Sequence, residues 1–316
     1  MRMDTEPLIK TTGLTRYFGK LAAVRGVDLS VQRGEILGLL GVNGAGKSTT
    51  MDMLCGVLSP SSGRVAIEGF DLAAQPLQAK RRIGYLPERP PVYPELTVLE
   101  YLRFCARLHG LDTREVAGAC DVVMDRCGLQ EVAKRLIGNL SKGYQQRIGL
   151  AQAFVHKPSV IVLDEPTAGL DPVQLQGIRD LIAEQAELRA VVLSTHILPE
   201  VTAVCDRVLI LHAGEVVHES LVSALTRAAQ RLTLRCVKPV DEAALGAIAG
   251  VTGVTLGADG RATLDFEAHS NPAPAVARLA VERGWELLEL NAGQSTLEQT
   301  FVELTYGTTA ALTPPT

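Results

Sequence analysis

The densest chemistry in the chain lies between Gly41 and Thr49. The run Gly41-Val-Asn43-Gly44-Ala45-Gly46-Lys47-Ser48 follows the pattern G-x-x-x-x-G-K-[ST], directly after an apolar stretch and before a helical one. Glycines at these places let the backbone wrap a polyphosphate with its N–H groups turned inward, and the following helix offers its positive end. In that arrangement Lys47 reaches the β- and γ-phosphates and the Ser48 hydroxyl binds Mg²⁺, with Thr49 beside it on the helix. Kinases, GTPases and motor ATPases share the pattern, although the Asn-Lys-x-Asp base reader of GTPases is absent. A second run, Val160 to Glu165, is apolar and ends in Asp164-Glu165. An aspartate at a strand end beside a phosphate loop can hold the magnesium shell, and the adjacent glutamate can orient or deprotonate an attacking water.

Such residues need a sheet to hold them, and the first 220 residues supply the pattern for one. EILGLLG (35–41), SVIVLDE (159–165) and AVVLSTH (190–196) read as buried strands. RVLILHAGEVVHE reads as a hairpin turning at Ala213-Gly214. Between Tyr93 and Val155 the strand signals vanish, and apolar residues recur at helical spacing in TVLEYLRFCARLHG and TREVAGACDVVMDRCGL. A helical insertion over about 93–155 is therefore expected. After a helix near 221–230 the pattern restarts as strand, helix, hairpin at Asp259-Gly260, helix and strand, with a last helix over STLEQTFVELT. The order β-α-β-β-α-β matches a small ferredoxin-like α+β sandwich. The expected domains are 1–230 and 231–306, followed by a frayed tail over 307–316.

Composition limits the alternatives. Apolar residues make up 47% and charged residues 21%, which excludes wholesale disorder. The net charge of −4 argues against a nucleic-acid binder working by bulk electrostatics. Residues 231–316 carry 6 basic and 10 acidic side chains, leaving 25 of each before them, so the second module is the acidic one. The longest uncharged stretch, Ala243 to Ala258, has 16 residues and four glycines, short of the roughly 20 apolar residues a spanning helix needs. With no signal peptide visible in MRMDTEPLIK, the expectation is a soluble cytosolic chain that reaches a membrane through a partner. Six cysteines without a C-x-x-C pair are expected to be buried thiols.

The discriminating segment is Leu140-Ser141-Lys142-Gly143-Tyr144-Gln145-Gln146-Arg147, lying 23 residues before Asp164. It resembles the L-S-G-G-Q signature of ABC-transporter ATPases, and the resemblance spans roughly residues 6–230 with every family motif in order. Lys142 and Tyr144 depart from the pattern, while Ser141 and Gly143 remain. The resemblance implies an α/β cassette of the P-loop NTPase class, with a RecA-like core, an antiparallel β subdomain and a helical subdomain. It implies ATP and Mg²⁺ as cofactors. It places an adenine-stacking ring at Phe18, with Tyr17 the runner-up, a Q-loop residue at Glu88, a D-loop aspartate at Asp171 and a switch histidine at His196. Glu88 stands where the family has glutamine; it keeps an oxygen for Mg²⁺ or water and adds charge.

Two classes of ABC protein compete: the ATPase subunit of a transporter with a separate permease, and a soluble ATPase acting on ribosomes or DNA. Ribosome-acting members usually carry two cassettes, and chromosome-type members split theirs with a coiled coil; here Lys47 and Ser141 stand 94 residues apart with no heptad array between. Transport is the expectation. IGYLPE, LSKGYQQR and the tail pattern Ser295, Leu297, Glu298, Phe301, Leu304 and Thr305 resemble ATPases of ABC-2-type exporters, similar to gliding-motility, copper-associated and drug-efflux members. That implies integral permease partners, attachment to the cytoplasmic face of the cell membrane, and a second cassette, identical or not. Ser141 and Gly143 of one cassette would then close over ATP held by the other. The C-terminal module either packs passively against its neighbour or has a regulatory or dimer-stabilising role. The remaining histidines, including His109 and His156, have no partners at metal-ligand spacing.

Overall fold

The computed structural model describes residues 6–168, 170, 172–227, 230–257, 261–267, 270–294 and Phe301. Asp171, most of the C-terminal helix pattern and the tail 307–316 lie outside them. The chain divides into two compact units, 1–220 and 221–316.

The first unit is built on a six-stranded sheet of β4 (Glu35–Leu40), β7 (Ile83–Leu86), β8 (Val160–Asp164), β9 (Ala190–Thr195), β10 (Arg207–His212) and β11 (Glu215–Leu221). Their spatial order is β11-β10-β4-β9-β8-β7, and the pairs from β10 to β7 are parallel. Strands buried on both faces read as continuous apolar runs, as VIVLD and AVVLST do. The β10–β11 turn sits at Ala213-Gly214, both with positive φ. The helices α1 (Lys47–Leu54), α6 (Pro172–Ala186) and α7 (Leu198–Val204) follow β4, β8 and β9 respectively.

A second sheet is antiparallel. It holds β1 (Ile9–Phe18), β2 (Leu21–Val27), β3 (Ser30–Val31), β5 (Ser62–Ile67) and β6 (Phe70–Asp71), ordered β2-β1-β5-β6 with β3 also on β1. The short α2 (Pro76–Lys80) precedes β7. Leu14 and Ile67 of this sheet share one core with Leu37 and Val162 of the parallel sheet and with Met51 and Leu54 of α1, so the phosphate-loop helix is clamped between the layers. The helical insertion contains α3 (Val98–Leu108), α4 (Thr113–Arg126) and α5 (Lys142–Phe154). Thr97 starts α3 with a reciprocal capping box to Glu100, and Ser141 caps α5 by accepting the Tyr144 N–H. His109, ending α3, stacks on His156 after α5 with ring centroids 3.7 Å apart, a pairing that sequence spacing does not reveal.

In the second unit, α8 (Val222–Arg227) precedes β12 (Gln230–Cys236), α9 (Glu242–Gly246), β13 (Val251–Leu256), β14 (Arg261–Phe266), α10 (Ala273–Glu282) and β15 (Leu287–Gln294). α8 groups with this unit, which begins at Leu221. The sheet is antiparallel throughout, in the order β13-β14-β12-β15, which is the ferredoxin-like arrangement. A helix is expected over DEAALGAIAG (241–250), and only the five residues of α9 form it. Asp241 caps its start through Ala243 and Ala244, and the chain turns into β13 at Gly250 with φ 85°. Leu232, Leu234, Leu264 and Trp285 form this unit's own core. All six cysteines are free and buried.

Candidate active site

Three neighbouring strands of the parallel sheet, β4, β9 and β8, deliver their carboxyl ends to one place, where ligands of open α/β sheets bind. After β4 the phosphate loop begins. A side chain on Gly41 would lie 2.6 Å from the Leu211 carbonyl oxygen, and one on Gly46 (φ 103°) 2.6 Å from that of Ala23, so only glycine closes the loop. The hairpin tip braces it from outside: the Gly214 N–H donates to the Ala45 carbonyl at 3.1 Å.

The loop, α1 and the two strand ends enclose a cavity of about 500 Å³. Asn43, Gly44, Gly46, Lys47, Ser48, Thr49, Glu88, Glu165 and His196 all line it, brought together from four separate segments. Lys47 is 6% exposed; its ammonium donates to the carbonyls of Gly41 (2.8 Å) and Val42 (3.3 Å) and stands 3.9 Å from Glu165 Oε1. Burial lowers the Lys47 pKa, while the negative charges of Glu165, Asp164 and Glu88 pull it back up. A buried, partly desolvated cation beside open space is suited to a phosphate.

Glu165 follows β8 with φ 50°, in the left-handed region. Its N–H donates to Ser194 Oγ at 3.0 Å, and the same hydroxyl donates to Asp164 Oδ1, so one serine of β9 ties both acids in place. Asp164 is 2% exposed and sits behind the cavity wall. His196 Nδ1 lies 3.0 and 2.9 Å from the two Glu165 carboxylate oxygens; a carboxylate only accepts, so this nitrogen carries the hydrogen. The His196 side chain is half exposed.

Other candidates lie apart from the cavity. Phe18 is exposed with the Arg16 guanidinium 4.8 Å from its ring centroid, and Tyr17 is equally open. Ser141 is exposed at the start of α5, while Gly143 packs so closely on Gln174 that a side chain there would collide with it. Neither lines the cavity of its own chain. Sequence reasoning overlooked Ala23 and Ala168 in the wall, which bear no chemical signal, and Ser194, which the S-T-H string did contain.

The model of the ABC transporter family matches residues 24–168. The bacitracin transport ATP-binding protein BcrA of Bacillus licheniformis is 33% identical over 314 residues, covering 96% of this chain and 98% of that one. The chain belongs to the ABC transporter ATP-binding proteins. The linearmycin resistance ATP-binding protein LnrL of Bacillus subtilis, another member, is 32% identical over 94% of this chain and 98% of its own. A solved ABC cassette, MJ0796, captured as a dimer after hydrolysis with ADP and Pi, superimposes with a TM-score of 0.61 at 25% identity, covering 68% of this chain and 98% of that one. This ABC protein is accordingly an ATPase subunit of a transporter, with the α/β P-loop cassette fold expected above. Among its described residues no helix is long and apolar enough to cross a membrane.

Proposed function

We propose that ATP is hydrolysed in the cavity lined by Lys47, Glu165 and His196, and that the free energy drives export through a separate permease. The observation that carries this reading is the convergence of the phosphate loop, Glu165 and His196 on one space. Asn43, Gly44, Ala45 and Gly46 present loop amides to the phosphates, Lys47 offsets their charge, and the α1 end adds its dipole. Glu165 accepts a proton from the attacking water, and His196 fixes the carboxylate that does so. Phe18 or Tyr17 stacks on the adenine.

Mg²⁺ fits the donor set. Ser48 would supply a hydroxyl and Glu88 a carboxylate at the cavity wall, and Asp164, buried outside the lining, would hold the ion's water shell; among the described residues no cluster of three His, Cys, Asp or Glu offers an all-protein cage. A magnesium ion held by one or two oxygens plus substrate phosphates needs no more. When bound, it would neutralise charge developing on the β- and γ-oxygens.

Ser141, Gly143 and Asp171 act in trans, over ATP held by the partner cassette; the exposure of Ser141 outside its own cavity supports this. The pair sits on the cytoplasmic face of the cell membrane, held there by the permease. The full-length match to two proteins named for bacitracin transport and linearmycin resistance supports export of such compounds. Mixed dimers test the arrangement. Lys47→Ala and Ser141→Arg chains should each be nearly inactive alone. A dimer of one chain of each kind should regain ATPase activity, since both defects fall in one of its two sites and the other is intact. Full activity from a strictly monomeric wild-type chain would sink the shared-site reading.

A further inference from the structure

Behind the cavity lies a second carboxylate that the hydrolysis reading does not use. Glu200, in the first turn of α7, is 5% exposed. Its Oε1 accepts from the hydroxyl of Thr167, two residues after Glu165. Its Oε2 accepts from the hydroxyl of Thr195, immediately before His196, at 2.6 Å. Both threonines are buried, at 6% and 0% exposure. A buried carboxylate is costly unless its oxygens are satisfied, and here two hydroxyls from two different turns satisfy it.

The direction of these bonds matters. A hydroxyl has one proton, and Glu200 can only accept, so both threonine protons point at it. The lone pairs of Thr195 Oγ1 are then free, and one receives the Ile197 N–H at 3.0 Å, closing the turn that carries His196. The turn after Glu165 is held again from its other side, where Gln146 Nε2 donates to the Pro166 carbonyl at 2.8 Å.

We propose that Glu200 is a positioning residue that sets the registration of Glu165 against His196, so that seating α7 assembles the water-activating pair. This rests on the roles given to Glu165 and His196 above. Glutamine at 200 keeps the shape but offers one acceptor oxygen, so one threonine must turn its proton away and the two turns lose their common anchor. Small displacements of reacting groups are expensive in rate rather than in binding.

The test uses the full chain, reading affinity with a fluorescent ATP analogue and chemistry by single-turnover hydrolysis. Glu200→Gln should slow hydrolysis about 10- to 100-fold while changing affinity less than about threefold. Thr195→Ser should hydrolyse like the wild type and Thr195→Val like Glu200→Gln; this pair carries the test if Glu200→Gln does not fold. In a Glu165→Gln background, Glu200→Gln should add no further loss. Normal hydrolysis by Glu200→Gln, equal activity of the Ser and Val variants, or the same proportional loss in both backgrounds would overturn the proposal. Glu165→Gln alone decides the parent reading: wild-type hydrolysis there would overturn both.

Discussion

A single nitrogen of His196, Nδ1, reaches both carboxylate oxygens of Glu165, at 3.0 and 2.9 Å. The acid cannot swing away from the cavity without giving up that contact. Glu165→Gln should therefore retain ATP binding and lose turnover by about 10²–10⁴-fold, the range for removal of a general base. His196→Ala should slow the same step. The double variant should be little worse than the poorer single one, because the two residues act as a unit. Steady-state ATPase assays on the four proteins check this; additive losses would count against a shared role.

Lys47 carries a stability signature as well as a role in binding. Its folded pKa lies below the ordinary 10.5, chiefly through burial, so the unfolded chain binds this proton more tightly. Wild-type stability should rise relative to Lys47→Met as pH climbs from the lowered pKa towards 10.5, and the difference should flatten above it. Denaturant melts of both proteins across that window measure it.

The stacked imidazoles behave differently with pH. Burial holds His156 down to about 3, with the positive charge of a protonated His109 acting in the same direction. A depressed folded pKa means that stability present above the unfolded value of 6.5 is lost as pH falls towards 3. His156→Phe keeps a ring on His109 but cannot titrate. Its melting temperature should fall less steeply than the wild type's between pH 7 and pH 4.

Much of the cassette was legible because its chemistry demands particular residue types at fixed offsets. A loop that wraps phosphate needs glycines, and a strand ending in two acids beside it has few other uses. The C-terminal sheet order also followed from the alternation of short strands and helices. What stayed hidden depends on contacts distant in sequence. Glu200 looks like any acid in a helix until Thr167 and Thr195 are seen to converge on it. His109 and His156 are 47 positions apart, and only the packing of α3 against the end of α5 brings their rings face to face. In DEAALGAIAG (241–250) the alanines favour a longer helix, whereas the glycines at 246 and 250 hold α9 to five residues.

The resemblance to ABC-transporter ATPases implies that the segment from Glu88 to Phe104 receives the permease, and we propose that docking here. Tyr93 and Phe104 are exposed there, with ring centroids 5.8 Å apart. Because the six native cysteines are buried, a cysteine introduced by Val92→Cys would be the accessible thiol. With a short bifunctional reagent it should crosslink to the permease in membranes. Crosslinks found only within the cassette would remove the assignment.

The φ of 50° at Glu165 has a consequence for the melting curve rather than for the reaction. Left-handed backbone costs a residue with a β-carbon about 1–2 kcal/mol, and glycine almost nothing. In most strands glycine is the poorer choice; here the order should invert. Glu165→Gly and Glu165→Ala both lack the carboxylate and should be equally inactive, yet the glycine variant should be more stable by about 1 kcal/mol. At this one backbone angle, selection for hydrolysis and selection for thermal endurance pull in opposite directions.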